Sequence, residues 1–568
     1  MPGLFGYTAS NGFSDNNPVL KKMRDLLIYR DCSHKSEEFF CKDGVNAGYC
    51  APDFENTDKR VYEDSGTACW FDGEIYSIGA NTYTSPVSGK LPKELIASAY
   101  KTGALKDFLR GIDGYFSAVI YDSAKRRITL ITDRYGFRHL YYSFYNGKIC
   151  WASECKAFLA MPDFKICVNR QSIDEFMKFG FLCEDRTWLD GVFLLNPATV
   201  LTYDMQSGSV RMERYWSPDE IRSSTGKIDV AEYCEEWGRL FNAAVAKKIG
   251  VDERVGITLS GGLDSRAILA AMPLDGSKIN AVTLGDRKCD DAEFAAMAAE
   301  LKGTNHRIFP FENDGWFERA TMGVWATDGA LSLSSQAGIE HLSAFSAQFG
   351  VSLNGLGGSS IMQWGMSPGS SSNKVFDNME GGIPGAQTVD RRMLRQGFRL
   401  DESFFKVRMP FYDAALYSFM ASLPQEINSG GNFYKTALLH NFPQYYRKIP
   451  WQQAGIPIGL PFPLFDICFF YNRLLGRFKR KLRGLGLPVF DSKLCFSISE
   501  TLRFDGNRAA AEKLLADKNA FYPQYLPENT AVKSVHKYAD TWMERKCRIL
   551  TFEIWMRQIH DPSLRPLI

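Results

Sequence analysis

A Ser-Gly-Gly-Leu-Asp-Ser string, Ser260–Ser265, follows directly on the apolar run Val255–Leu259. If the run is a strand and the next residues open a helix, the string lies where backbone N–H groups point outward with partial positive charge. Gly261 and Gly262 remove the Cβ atoms that would hold a phosphate at a distance. Ser260 and Ser265 add hydroxyl donors, and Asp264 can hold a magnesium ion between phosphates. The predicted chemistry is phosphate binding with Asp264 as metal ligand. The Gly-Lys-Ser/Thr ending of a Walker loop is absent. An ordinary strand–turn–helix corner is the alternative, and the complete string after an apolar strand favours the phosphate cradle.

Such a loop needs a sheet and helices to aim it. Short apolar runs at Val255–Leu259, Ile279–Leu284 and Val351–Leu353 are separated by helical spacing at Ala267–Met272, Asp291–Leu301 and around Ile339–Phe349. Strands alternating with helices predict an α/β domain with a parallel sheet covered on both faces. Before about Asp204 the pattern differs. The runs 68–79, 114–122, 126–136 and 139–153 alternate β-branched and aromatic residues around Asp-Gly and Asn-Gly turns, which predicts antiparallel hairpins. We therefore expect a first domain over 1–204, a polar linker over 205–229 and a second domain over 230–568. The stretch from Lys406 to the end reads as mostly helical. Its basic run Arg477–Arg483 fits a solvated helix face or an anionic substrate or partner site, and Gly369–Asn373 reads as a loop.

A chain of 568 residues is too long for one core. With 67 basic and 65 acidic residues, the net charge of +2 gives no long-range field toward nucleic acid or an anionic membrane. No apolar stretch reaches the roughly 20 residues of a membrane span, and no export signal is visible, so a cytoplasmic location is expected. Thirteen cysteines without a Cys-x-x-Cys pair fit reduced thiols rather than a disulfide framework or zinc site.

The Ser260–Ser265 string resembles the pyrophosphate loop of the ATP pyrophosphatase group. Its surroundings resemble the glutamine-hydrolysing asparagine synthetase family over nearly the whole chain. The resemblance is carried in the first half by FDGEIYSIGAN, DGYFSAVIYD, DRYGFRHLYY and WASECKAFL, and in the second by DDAEFAAMAAELKGTNHRIF, VRMPFYD and LTFEIWMRQI. It implies a four-layer α-β-β-α first domain of the N-terminal-nucleophile hydrolase type. It also implies a second domain of the ATP pyrophosphatase type, which uses ATP and magnesium to adenylate a carboxylate that an amine then captures. Ser260, Gly261, Gly262, Asp264 and Ser265 would hold the phosphates, and Leu259 would belong to the same nucleotide-binding site. Leu284 and Gly285 would line the adenine pocket, Gly355 and Gly357 would allow close approach, and Lys448, with Lys435 as alternative, would stabilise the departing charge.

The family pattern is broken in both halves. Pro2 stands where glutamine-hydrolysing relatives have the nucleophilic Cys, Asp72 replaces the oxyanion-hole Asn, and of the substrate Arg motif only Arg30 is kept. Glutaminase activity is therefore expected to be absent. Leu356 replaces a Glu linked with catalysis, and Ser359 and Ser360 replace an acidic pair that helps to hold magnesium. Beta-lactam synthetase and the lasso-peptide cyclases are similar in lacking the glutaminase Cys and in taking an amine from their own substrate.

Asp290, Asp291 and Glu293 either serve the helix dipole or stand near the ribose or metal. His306 reads as structural or functional, and Arg408 with Asp413 as a structural ion pair. The expected function is an ATP-dependent amide-forming synthetase joining a small-molecule or peptide carboxylate to an amine that does not originate from glutamine. Asparagine synthesis from free ammonia is one alternative, and a catalytically degenerate partner protein is another. A homodimer or a partner protein is compatible with either.

Overall fold

The computed structural model describes residues 3–9, 17–28, 34–36, 39–52, 61–79, 81–82, 91–222, 229–250, 254–286, 288–363, 386–424, 427, 432–461, 463–484, 498–502, 504–526 and 540–566. Pro2, Arg30 and the Gly369–Asn373 loop lie outside them, as does the Ser359 side chain.

The first domain stacks two antiparallel sheets. One runs, edge to edge, through Val192–Leu194, Tyr141–Tyr145, Lys148–Ala152, Leu4–Thr8, Val45–Pro52 and His34–Ser36. The other runs through Val210–Arg214, Thr199–Asp204, Arg127–Thr132, Ile112–Asp122, Thr67–Ile78 and Tyr62–Asp64. The expected Asn-Gly turn is present: Asn146 and Gly147 both take positive φ, 50° and 69°, matching the twist of the strands they join. Leu4, Val45, Trp70, Val119, Leu130, Trp151 and Leu201 pack between the sheets. Outside them, the helix Pro18–Leu27 buries Leu20, Met23 and Leu27 on the first sheet, and Pro92–Lys101 buries Ile96 and Ala97 on the second. These are the four α-β-β-α layers expected.

The strand Val210–Arg214 pairs with Thr199–Asp204 from inside the expected linker, so the connection narrows to the residues before the helix Val230–Lys247. Its side chains are largely exposed. An edge strand with one wet face reads as polar, and for that reason it resembled linker.

The second domain is built on a five-stranded parallel sheet in the order Asn305–Phe309, Asn280–Leu284, Val255–Thr258, Val351–Leu353, Lys406–Arg408. The three central strands are the apolar runs read from the sequence. Both edge strands, NHRIF and KVR, carry polar residues because only one of their sides pairs. The helices Asp264–Ala271 and Asp290–Lys302 follow the first two strands in chain order. Strand order reverses between Val255–Thr258 and Val351–Leu353, so the loops after these strands part and leave a crevice at the carboxyl edge.

A charged seam joins the domains. Asp328, 2 % exposed, accepts from the backbone N–H groups of Cys155 (2.8 Å) and Lys156 (3.2 Å), and pairs with Lys156 Nζ (3.1 Å) and Arg399 Nη1 (3.0 Å). Burial opposes its ionisation, but the two cations outweigh this and hold its carboxyl below the usual range. Lys156 also pairs with the fully buried Glu154.

Candidate functional site

The phosphate loop closes on itself through its hydroxyls. Ser260 N–H donates to Ser265 Oγ (3.0 Å), the two hydroxyls lie 3.1 Å apart, and Gly262 N–H donates to Ser260 Oγ (3.2 Å). A phosphate oxygen entering here meets rotatable protons already gathered on one side of the loop. Gly261 N–H donates to Asp291 Oδ1 at 2.8 Å, which ties the loop to the start of the next helix. Of the acids opening that helix, Asp291 reaches the loop, its side-chain carboxylate accepting from the Gly261 backbone N–H. Glycine suits the close packing there: a Cβ on Gly261 would lie 3.0 Å from the Asp290 carbonyl oxygen, so the neighbouring backbone would have to give way slightly.

Arg266, fully buried, supports the loop from behind. Its guanidinium donates to the carbonyls of Gly261 (2.8 Å), Ile449 (3.1 Å) and Pro450 (2.8 Å), and Gln452 N–H also donates to Gly261 O (3.1 Å). Tyr446 Oη donates to Leu263 O at 2.7 Å. This part of the site was missed in the sequence, because a buried Arg one residue past the string carries no local signal of its distant acceptors.

Asp264 is half-buried at the first turn of its helix, and Tyr434 Oη donates to its Oδ1 at 2.9 Å. The neighbouring carboxylate raises the Tyr434 pKa further above a value that burial has already lifted. The loop after the fourth strand in chain order presses on the same side chain. A Cβ on Gly358 would lie 2.2 Å from Asp264 Cγ, and one on Gly355 would lie 3.0 Å from Asp264 Cβ. Gly357, at φ 93°, packs against Tyr412 and Ile361. Leu356, in place of the family's Glu, is buried in the core. Ser360 Oγ and Tyr412 Oη both donate to Asp390 Oδ2, and burial pushes the Asp390 carboxyl up to about 6.

Leu259 is buried at the end of the first parallel strand. Leu284 and Gly285 end the second, where Gly285 takes φ 146° and donates to Phe309 O at 2.9 Å. His306 Nε2 lies 2.8 Å from Thr283 Oγ1, which itself donates to Leu259 O (2.7 Å), so His306 braces the sheet beneath the loop. Lys448 is exposed on the turn between Tyr446 and Ile449. Lys435 lies over the rings of Trp451 (5.3 Å) and Phe465 (5.4 Å), and burial lowers its pKa.

The expected Arg408–Asp413 ion pair is replaced by two others. Arg408 pairs with Glu74 of the first domain (2.6 and 2.8 Å), whereas Asp413 caps the helix Ala414–Ser422 and pairs with Lys247 (2.6 Å). The cap turns Asp413 toward Lys247, and Arg408, at the end of an edge strand, faces the other domain. Burial opposes ionisation of Glu74, but Arg408 and Lys406 hold its carboxyl well below the usual range.

Among the described residues no cluster of three His, Cys, Asp or Glu side chains could hold a metal alone. Magnesium, which needs only one or two carboxylates beside substrate phosphates, fits Asp264. The hydroxyl ring at Ser260 and Ser265 and the crowded glycines around Asp264 fit a nucleotide's phosphates.

In the first domain, Asp72 accepts from Tyr49 Oη (3.2 Å) and is 2 % exposed; burial raises its pKa against the opposing charge of Arg138. A Cβ on Gly3 would lie 3.3 Å from Asp72 Oδ2 and 2.2 Å from Ser153 Oγ, so the start of the chain is pressed onto this carboxyl. Beside it, Phe137, His139, Ser153, Arg395 and Arg399 line a cavity of about 10 Å³, room for a single water.

The fold and the crevice define an amidotransferase-type sandwich joined to a nucleotide-binding α/β domain. Residues 1–216 match the glutamine amidotransferase domain family and residues 236–406 match the asparagine synthase family. The chain thus joins an N-terminal glutamine amidotransferase domain to an asparagine synthase domain. It is 25% identical over 283 residues to a putative glutamine-hydrolysing asparagine synthetase of Methanocaldococcus jannaschii, covering 48% of this chain and 54% of the relative. It is 26% identical over 260 residues to an amidase of Penicillium rubens, covering 41% and 37%. It is 24% identical over 290 residues to the carboxyethyl-arginine beta-lactam synthase of Streptomyces clavuligerus, covering 50% and 52%. The matched stretch spans about half the length of the first of these relatives or less.

Proposed function

We propose that the protein is an ATP-dependent ligase that adenylates a carboxylate, releases pyrophosphate and joins the acyl group to an amine from a source other than glutamine. The observation that carries this reading is the Ser260–Ser265 loop: its hydroxyls are gathered at the carboxyl edge of the parallel sheet, and Asp264 is fixed by Tyr434 beside them. A carboxylate oxygen attacks the α-phosphorus of ATP and pyrophosphate leaves. The amine nitrogen then attacks the acyl carbon and AMP leaves. Ser260, Gly261, Gly262 and Ser265 hold the departing pyrophosphate, while Leu259, Leu284 and Gly285 flank the adenine. Gly355 and Gly357 let the opposite loop close in, and Lys448 offers a cation from the exposed turn. Asp264 would hold a magnesium ion, which when bound would supply positive charge to offset that developing on the phosphates. Pro2 and the buried Asp72 support an amine source other than glutamine. A cysteine nucleophile is missing from position 2, and position 72 carries a buried carboxyl in place of the Asn that the resemblance leads one to expect there.

Incubation with ATP, magnesium and pooled amino acids and cell extract, scored for pyrophosphate and AMP, tests the reading. Release that Asp264→Ala abolishes is expected. Absence of release together with absence of calorimetric ATP binding would overturn it and leave a partner protein.

A further inference from the structure

The basic run Arg477–Arg483 has no part in the ligase reading. It closes a 21-residue helix, Leu464–Gly484, about 30 Å long. One narrow face of this helix is fastened to the body. Phe469 stacks on Trp451 (6.3 Å, 5°), Phe465 lies behind it, and Asn472 Nδ2 donates to Ala454 O. The opposite face is apolar and exposed: Leu464 48 %, Ile467 61 %, Tyr471 60 %, Leu474 53 % and Phe478 59 %, with Phe470 beside them at 68 %. Their spacing of three and four residues aligns the first five in one stripe. Isolated exposed apolar residues are ordinary, whereas seven large ones along a single helix, Leu475 included, mark a contact surface.

Charge identifies the contact. The helix carries six basic residues, Arg473, Arg477, Lys479, Arg480, Lys481 and Arg483, against one acid, Asp466. At about 100° per residue, the positions of Lys479 and Lys481 fall on either side of the stripe. A second copy of this helix laid on the stripe would bring its own cations with a single acid to answer them, whereas paired helices use both signs at their flanks. An apolar stripe with basic positions on either side matches a helix lying in the headgroup region of an anionic bilayer. Among the described residues no helix is long and apolar enough to cross a membrane, and none is needed for this mode.

We infer that Leu464–Gly484 docks the protein on an anionic lipid surface through its exposed apolar stripe and basic flanks. The helix rests on Trp451 and Ala454, and Gln452 between them donates to Gly261 of the phosphate loop. Docking therefore sets the nucleotide crevice one short segment from the bilayer.

Co-sedimentation of the full chain with vesicles tests this. Binding to phosphatidylcholine vesicles containing phosphatidylglycerol is expected, with much weaker binding to phosphatidylcholine alone. Lys479→Glu with Lys481→Glu should weaken it by about fivefold or more per position. Leu474→Glu with Phe478→Glu should weaken it about tenfold or more. Leu474 and Phe478 are exposed helix positions, so far-UV circular dichroism of that pair should stay that of the wild type. Slower amide exchange within 464–484 when anionic vesicles are added to the wild-type protein supplies a readout free of substitutions. Absence of binding at millimolar anionic lipid, or binding that neither pair alters, would overturn the inference. A dimer in lipid-free sedimentation that Leu474→Glu dissociates would assign the stripe to a second copy instead.

Discussion

Asp264 opens a helix of the second domain, Asp72 lies in the middle of the strand Thr67–Ile78 of the first, and the surroundings of the two carboxyls differ. Asp264 keeps one side open to the crevice and takes a hydrogen bond from Tyr434. Asp72 is enclosed, with the start of the chain against it, and burial raises its pKa. A carboxylate keeps its charge where solvent and donors remain, and a buried one drifts toward the neutral acid. Near Asp72, Phe137, His139 and Ser153 of the first domain and Arg395 and Arg399 of the second leave a cavity of only about 10 Å³.

The contrast makes four outcomes testable. The largest effect is expected where the first domain serves as scaffold. Arg399→Met leaves Asp328 and Glu154 short of a buried cation and should cost about 3–5 kcal/mol in chemical denaturation; a loss below about 1 kcal/mol would mean that the seam is not structural. Next, Asp264→Ala should cut pyrophosphate release by about 100- to 1000-fold while leaving the denaturation midpoint near that of the wild type. Behind the same crevice, Asp390 has its pKa raised to about 6, so the folded chain holds that proton more tightly than the unfolded chain. Its contribution is full below about pH 4 and is lost as pH climbs through 6, a swing of roughly 3 kcal/mol at most. Asp390→Asn should flatten that slope when denaturation is followed at several pH values, and an unchanged slope would refute the assignment. The smallest effect is expected at Asp72→Asn, with pyrophosphate release within about twofold of the wild type and glutamine hydrolysis absent before and after. A large fall in synthesis would erase the contrast.

Much of the fold was readable because its signals are local. The apolar runs that became the central parallel strands needed only their neighbours to be recognised, as did the Asn146-Gly147 hairpin. The strands Asn305–Phe309 and Lys406–Arg408 escaped because an edge strand carries polar side chains on its unpaired side. Val210–Arg214 passed for linker for the same reason. Within the candidate site, the Ser260–Ser265 string was plain, whereas Arg266, Tyr434 and Asp390 were invisible. Their partners lie 183, 170 and 30 positions away, and no periodicity reports such a pairing. Arg408 and Asp413 show the opposite failure: closeness in sequence suggested an ion pair, and the strand end and helix cap sent the two side chains to different partners.

The sequence by itself determined the two sheet types and the place of the Ser260–Ser265 loop after its strand, since each depends on residue type and short-range spacing. Only the tertiary structure decided which charges stay solvated and which are sealed. It set Asp264 at an open crevice and Asp72 beneath the chain's first residues, and it drew Asp328 between Lys156 and Arg399. Those outcomes depend on distances between residues far apart in the chain, and the strength of every charge there is set by what the fold packs around it.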